Sequence, residues 1–187
     1  MNPRDELQRI QERLLVLQAQ QNDHTAFQQL VKLYEKRLLY YIRRLVGDCD
    51  HALDILQDVW LTVFRRIGSL KSPEAFRVWV YRITHDQTVT LLRRHHGRID
   101  VIEDCSTREI EDSSWNELEL LENAELVHRE LERLSPAHRE VLTLRFLESM
   151  SLDEIAEVID CSNGTAKSRL HYAKKALRSQ IEGQKDV

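Results

Sequence analysis

Cysteine, proline and glycine are all scarce in this chain of 187 residues: three, three and five respectively. So few turn-forming residues exclude a β-sandwich, a barrel or a doubly wound sheet, each of which needs many tight turns. Cys49, Cys105 and Cys161 lie far apart, with no Cys-x-x-Cys, so no disulfide framework is expected. They read as small buried thiols in a reducing compartment. No apolar run approaches the ~18 residues of a membrane span. Residues 1–5 also lack the basic and apolar regions of a signal peptide. The expectation is a cytoplasmic protein with no membrane insertion. Signatures of catalysis are missing too: there is no glycine-rich phosphate loop, no His-Glu-x-x-His and no Gly-x-Ser-x-Gly. His95 and His96, followed by Asp100, Glu103, Asp104 and Cys105, come nearest to a metal cluster but lack ligand spacing. No catalytic residue, metal or cofactor is therefore expected.

What is present is charge, at 31% of residues, and its distribution matters more than its total of −4. Residues 1–98 carry a net +5, residues 99–125 a net −9, and residues 126–187 balance to zero. Within the last part, residues 162–181 hold Lys167, Arg169, Lys174, Lys175 and Arg178 without a single acid. A pI near 6.1 would by itself argue against nucleic acid. Two cationic regions separated by an acidic strip reverse that inference.

Apolar residues recur at helical spacing almost throughout. A first helix is expected over residues 3–20, with Asn2 as cap and Leu7, Ile10, Leu14 and Leu17 on its apolar stripe. Asn22-Asp23 ends it. A second spans about 24–46, with Phe27, Leu30, Val31, Tyr34, Leu38, Tyr41, Ile42 and Leu45 in register and Gly47 beyond its end. A third lies between Asp50 and Gly68; a fourth opens with Ser72 as cap and Pro73, and reaches about Arg94. From residue 95 to 113 the period fails while acids accumulate, which reads as a linker between two domains. Helices resume over 114–134, from a capping box at Ser114 and Glu117, then over 135–147. A further capping box at Ser151 and Glu154 opens a short helix to Ile159, and Ser162 caps the last helix, to about Gln180. The fold class is all-α: two small helical domains joined by an acidic linker, without internal repeats.

Three faces could carry function. The short helix, the tight turn Asp160-Cys161-Ser162 and the basic last helix have the proportions of a helix-turn-helix. Ile155, Ala156 and Ile159 would pack on Ala166, Leu170, Ala173 and Leu177. That leaves Asn163, Thr165, Lys167, Ser168, Arg169, His171 and Lys174 outward, groups suited to base edges and phosphates. The fourth helix mixes aromatics and cations: Phe76, Arg77, Trp79, Tyr81, Arg82 and His85, then Arg93, Arg94 and Arg98. Such a mixture suits unstacked bases, although aromatics at helical spacing also build cores. On the third helix, Asp54, Gln57, Asp58, Leu61 and Arg65 lie opposite the apolar stripe. Acids at i and i+4 repel mildly, so this face is either simply solvated or docks on a basic partner.

Three groups of motifs then fall in order: Phe27-x-x-Leu30-x-x-x-Tyr34; Ala52 to Phe64; and Phe76-Arg-Val-Trp-Val-Tyr-Arg-Ile83 with Arg93-Arg94. After the acidic strip come Leu134-Ser-Pro with Arg139 and Phe146, Ser151 to Ala156, Gly164 to Leu170, and Ala173 to Leu177. Together they resemble the small extracytoplasmic-function group of the sigma-70 family of RNA polymerase sigma factors, over about residues 14–178. The resemblance implies a non-catalytic subunit that binds core RNA polymerase through a coiled coil of its largest subunit and directs it to promoter DNA. It implies sigma domain 2 over 1–95 with a short N-terminal extension, an acidic linker over 96–113 that occupies the RNA exit path, and sigma domain 4 over 114–187. Core binding falls to Asp54, Gln57, Asp58 and Leu61. Melting and reading of the −10 element, with a base flipped into a protein pocket, fall to the turn at 68–73 and the fourth helix: Ser69, Lys71, Arg77, Trp79, Tyr81, Arg82, His85, Arg93 and Arg94. Reading of the −35 element falls to the outward residues of the last helix. An anti-sigma factor is the implied regulator. Two departures stand out. Thr84-His85-Asp86 and Thr90 replace the family's usual small-basic-Asn run and later Asp, which places a carboxylate near an expected DNA face. Residues 3–12 also precede the family's usual start. The alternatives are a helix-turn-helix repressor or activator with a helical sensing or dimerisation domain, and a helical adaptor that binds proteins only.

Overall fold

The structure is a computed structural model that describes residues 3–46, 51–96 and 131–183. The acidic linker, residues Asn2, Gly47, Cys49 and Cys105, and most of the helix expected over 114–134 lie outside the described residues. Among the described residues every regular element is helical. The chain divides into two compact units, Met1–Gly97 and Arg98–Val187. The first unit holds α1 (Pro3–Gln20), α2 (His24–Val46), α3 (Ala52–Arg66), short 3₁₀ turns at Ile67–Ser69 and Pro73–Ala75, and α4 (Phe76–His96). The second holds α5 (Pro136–Leu142), α6 (Leu152–Val158) and α7 (Asn163–Gly183).

Local chemistry sets the boundaries in the first unit. Asn22 takes a left-handed φ of 65°, which asparagine tolerates better than most residues. It lets the Asp23 N–H reach the Gln18 carbonyl and the Asn22 N–H reach the Ala19 carbonyl, a Schellman end to α1. Asp23 then caps α2, its Oδ1 accepting from the backbone N–H of Thr25 and Ala26 at 2.8 and 3.1 Å. The central helix α2 buries Leu30, Tyr34, Leu38, Tyr41 and Ile42 completely. Tyr34 meets Phe76 edge-on at 5.5 Å and Tyr41 meets Tyr81 at 5.3 Å, so aromatic pairs lock α2 onto α4. Ala52, Ile55, Val59 and Val63 form the buried line of α3. Thr84 and Thr88 are buried as well; each hydroxyl donates to the carbonyl one turn back, of Val80 and Thr84.

Two expectations require correction here. The stripe Leu7, Ile10, Leu14 and Leu17 is 46–67% exposed; α1 instead buries Leu15, Val16 and Ala19. The longer apolar pattern of α1 therefore lies on the face away from α2, and its short, Ala-containing line is what fits the bundle. Ser72 does not cap a helix with its side chain: its hydroxyl donates to Glu74 Oε2 at 2.5 Å, Pro73 opens a 3₁₀ turn, and α4 begins only at Phe76. That hydroxyl is the main reason the exposed Glu74 carboxyl sits below its ordinary range.

In the second unit, Ser135 caps α5 through the His138 N–H. Arg139 ties its start to the preceding segment, donating to the carbonyls of Leu131, Glu132 and Leu134. The expected run to Leu147 is α-helical only to Leu142 and continues as a wider π turn, Thr143–Leu147. The capping box at α6 is complete: Ser151 Oγ accepts from the Glu154 N–H and Glu154 Oε2 from the Ser151 N–H. Asp160, left-handed at φ 52°, and a Cys161 N–H bond to the Ala156 carbonyl turn the chain into α7, whose Thr165 N–H is capped by Ser162 Oγ at 3.0 Å. Ile155, Ala156 and Ile159 are buried, as are Ala166, Leu170, Ala173 and Leu177.

Candidate protein and nucleic-acid interfaces

The first face follows from α3. Burial of Ala52, Ile55, Val59 and Val63 turns Asp54, Gln57, Asp58 and Leu61 outward, and all four are exposed. Asp54 stands in the first turn, where the helix dipole favours a carboxylate, and His51 Nδ1 lies 3.7 Å from it. Leu61 and Phe64 are 46 and 50% exposed, so the acidic face has an apolar margin. Beside this face a groove of about 340 Å³ opens between α3 and α4; Asp58, Leu61, Arg65, Asp86, Thr90 and Arg94 are among its walls. Gln87 fixes its floor, donating to Thr62 Oγ1 at 2.7 Å and to the Asp58 carbonyl at 3.3 Å. Asp86 and Thr90, expected beside a DNA-reading face, thus lie one turn apart on a line of α4 that overlooks α3. The i, i+4 spacing of 86, 90 and 94 was the available sign; which flank of α4 met α3 was not.

The second face comprises the turn at 68–73 and the other flank of α4. Ser69 and Lys71 are exposed, and Ser69 Oγ donates to the Arg66 carbonyl. Arg77, Trp79, Arg82 and His85 are half-buried at the surface, and Arg93 and Arg94 are exposed. Arg94 is shared with the groove. Tyr81 is a correction: it is fully buried against Tyr41, so its ring is core and offers nothing to a base. Val80 and Tyr81 are neighbours within one wide buried arc of α4, broader than a single stripe suggests. Trp79 tilts against Phe76 at 6.1 Å and is itself half-buried.

The third face is α7. Lys167 is exposed, and Thr165, Arg169, His171 and Lys174 are half-buried. The Asn163 amide donates to the Asp153 carboxylate of α6, and Thr165 Oγ1 pairs with Ser162 Oγ at 2.8 Å, so the helix start is held before any ligand arrives. Ser168 is the second correction: its short side chain is buried and its hydroxyl donates back to the Thr165 carbonyl at 3.0 Å. The Arg169 charge lies near His138 of α5 and Cys161 of the turn. Burial first, then that charge, holds the His138 imidazole below its ordinary range; burial pushes the Cys161 thiol up. Lys174 Nζ sits 5.7 Å from the centre of the ring of Phe146, a residue of the π turn. Among the described residues no cluster of His, Cys, Asp or Glu could hold a metal, and no helix is long and apolar enough to cross a membrane.

Comparison with known proteins adds a lineage to this geometry. The family model described as sigma-70 region 2 matches residues 30–98, and that described as sigma-70, region 4 matches residues 124–177. The RNA polymerase sigma-H factor of Pseudomonas aeruginosa is 30% identical over 186 residues, covering 92% of this chain and 94% of its own. The ECF RNA polymerase sigma-E factor of Escherichia coli is 28% identical, covering 94% and 96%. Among solved structures, CnrH in complex with the cytosolic domain of CnrY resembles the chain with a TM-score of 0.65, 24% identity and 92% and 98% coverage. RpoE of Bartonella quintana, solved with the anti-sigma factor NepR, has a TM-score of 0.62, 21% identity and 83% and 96% coverage.

Proposed function

We propose a division of labour within this chain, which belongs to the extracytoplasmic-function group of the sigma-70 family of RNA polymerase sigma factors. It binds core RNA polymerase and directs promoter-specific initiation of transcription. Residues 1–95 act as sigma domain 2 and residues 114–187 as sigma domain 4, with 96–113 as the tether. The observation that carries this reading is that the region 2 match lies in the first compact unit, all but its last residue, and the region 4 match lies in the second. Each unit also bears a surface of the chemistry its task requires.

The acidic face of α3 docks on a cationic coiled coil of the polymerase. Asp54, Asp58 and Leu61 supply charge and an apolar anchor, and the groove beside them extends the same interface to Asp86. On this placement Asp86 faces protein and not phosphate, which removes the repulsion its sequence position suggested. The turn at 68–73 and the outer flank of α4 then receive the −10 element. Single-stranded bases gain from a stacking partner, and Trp79 with Arg77 and Arg82 fills that role; stacking contributes roughly 1–3 kcal/mol per base. In α7, Lys167 and Arg169 meet the −35 element in the major groove, with Lys174 at the phosphates and Asn163 and Thr165 pinning the helix start. On this reading the work of the chain is binding energy redistributed into strand separation. An anti-sigma factor that covers these surfaces is the regulator we propose, as NepR is bound to the Bartonella neighbour.

The test is transcription in vitro with purified core polymerase on a promoter library. Specific products that require this chain support the reading. A helix-turn-helix repressor or a protein-only adaptor yields none.

A further inference from the structure

We infer that α1 braces the turn at residues 67–74 and that Gln20 is a positioning residue for promoter reading; this rests on the proposed −10 role of that turn. Gln20 is the last residue of α1, and its Nε2 donates to two carbonyls, Ile67 at 3.1 Å and Leu70 at 2.7 Å. A side-chain amide has two N–H groups, so one nitrogen can serve both acceptors. These carbonyls bracket the first 3₁₀ turn, which closes on itself through the Leu70 N–H and the Ile67 carbonyl at 3.1 Å. Two helical turns earlier on α1, Arg13 Nε lies 3.6 Å from Glu74 Oε1, and Glu74 also accepts from Ser72. The segment is therefore held by α1 at both ends. Within the braced segment Ser69 and Lys71 are exposed, and Gly68 has open space where a side chain would stand.

This arrangement has a consequence for recognition. A loop that must be ordered as it captures a flipped base loses conformational entropy at that moment; a loop already fixed loses it on folding. Gln20 spans 47 and 50 residues of sequence to fix this one. Its partners are backbone carbonyls, so the brace works whatever side chains the loop carries.

Gln20→Glu keeps the shape, removes both N–H donors and turns a carboxylate toward two carbonyls. Gln20→Met removes the donors without adding charge, and Gln20→Lys restores a donor. Full-length variants are assembled with core polymerase and tested on single-stranded DNA randomised over six positions, with bound sequences counted. The expected result is about tenfold weaker binding to the wild-type consensus and a flattened base preference for Gln20→Glu and Gln20→Met. Recovery by Gln20→Lys, and core affinity unchanged in all three, complete the expectation. Wild-type base preference in both donor-less variants overturns the inference. Lys71→Ala serves as the control for the underlying reading. If Lys71→Ala weakens binding and the Gln20 variants do not, the brace alone is wrong. If neither has an effect, the −10 assignment of the turn fails with it. Thermal melting of each variant shows whether a loss follows folding, and a flattened preference in a variant that melts like the wild type is the outcome a purely structural Gln20 does not produce.

Discussion

Reversing the charge of Asp58 tests the protein-docking face most directly. Its carboxylate is exposed, and no hydrogen bond or ion pair among the described residues holds it; only its backbone carbonyl is engaged, by Thr62 and Gln87. Asp58→Arg should therefore change folding stability by less than about 0.5 kcal/mol, as surface substitutions do. At a docked interface the effect is larger. One unit charge about 4 Å from an opposite charge gains ~1 kcal/mol even in bulk water. Reversal removes that attraction and replaces it with an equal repulsion, for a loss of ~2 kcal/mol, or about thirtyfold in Kd. Affinity for fluorescently labelled core polymerase, titrated at two salt concentrations, measures it. The deficit should shrink as salt rises, because screening acts on exposed charges over about 10 Å at 0.1 M. Asp86→Arg, on the opposite wall of the groove, should weaken core binding in the same direction and leave −10 base preference alone. Unchanged affinity for both variants, with thermal melting intact, would refute the docking assignment and the groove's part in it.

Other expectations follow from the corrected placements. Arg169→Ala should reduce −35-dependent initiation by about 1–3 kcal/mol if the guanidinium reads a base pair, and equal losses on scrambled −35 sequences, measured in runoff transcription, would reduce it to a phosphate contact. Tyr81→Ala should act on folding and not on base preference, lowering stability in urea melts by about 3–5 kcal/mol because it empties a buried aromatic site beside Tyr41. A base-preference change at unaltered stability would contradict that burial. The depressed imidazole of His138 has a pH consequence. The unfolded chain binds this proton more readily than the folded one, so stability falls as pH drops through about 6.5 and levels out below the folded value. In His138→Gln, the loss of melting temperature between pH 7 and pH 5 should be smaller than in wild type.

Much of the first unit was legible because its signals are local. Asn22-Asp23 marked a helix end, since a left-handed residue suffices to stop the chain there; that Asp23 also caps α2 follows from its Oδ1 contacts. The Ser151–Glu154 box likewise read correctly, as both of its hydrogen bonds close within one turn. Periodicity failed where a helix has two apolar lines. In α1 the longer line, Leu7 to Leu17, faces outward, and the small residue Ala19 joins Leu15 and Val16 inside. Spacing alone carries no information about which line meets α2.

The sequence by itself determined that the chain is helical, where most helices begin and end, and that cations and carboxylates are segregated; these depend on contacts within a few residues or on composition. Only the tertiary structure decided which side of each helix is a surface. It buried Tyr81 and Ser168, placed Asp86 in a groove beside Asp58, and brought Gln20 to carbonyls 47 and 50 residues away. The physical reason is that a helix has a fixed period but no preferred partner. The azimuth at which it packs is set by the volumes and polar groups of the helices it meets, and those lie far along the chain.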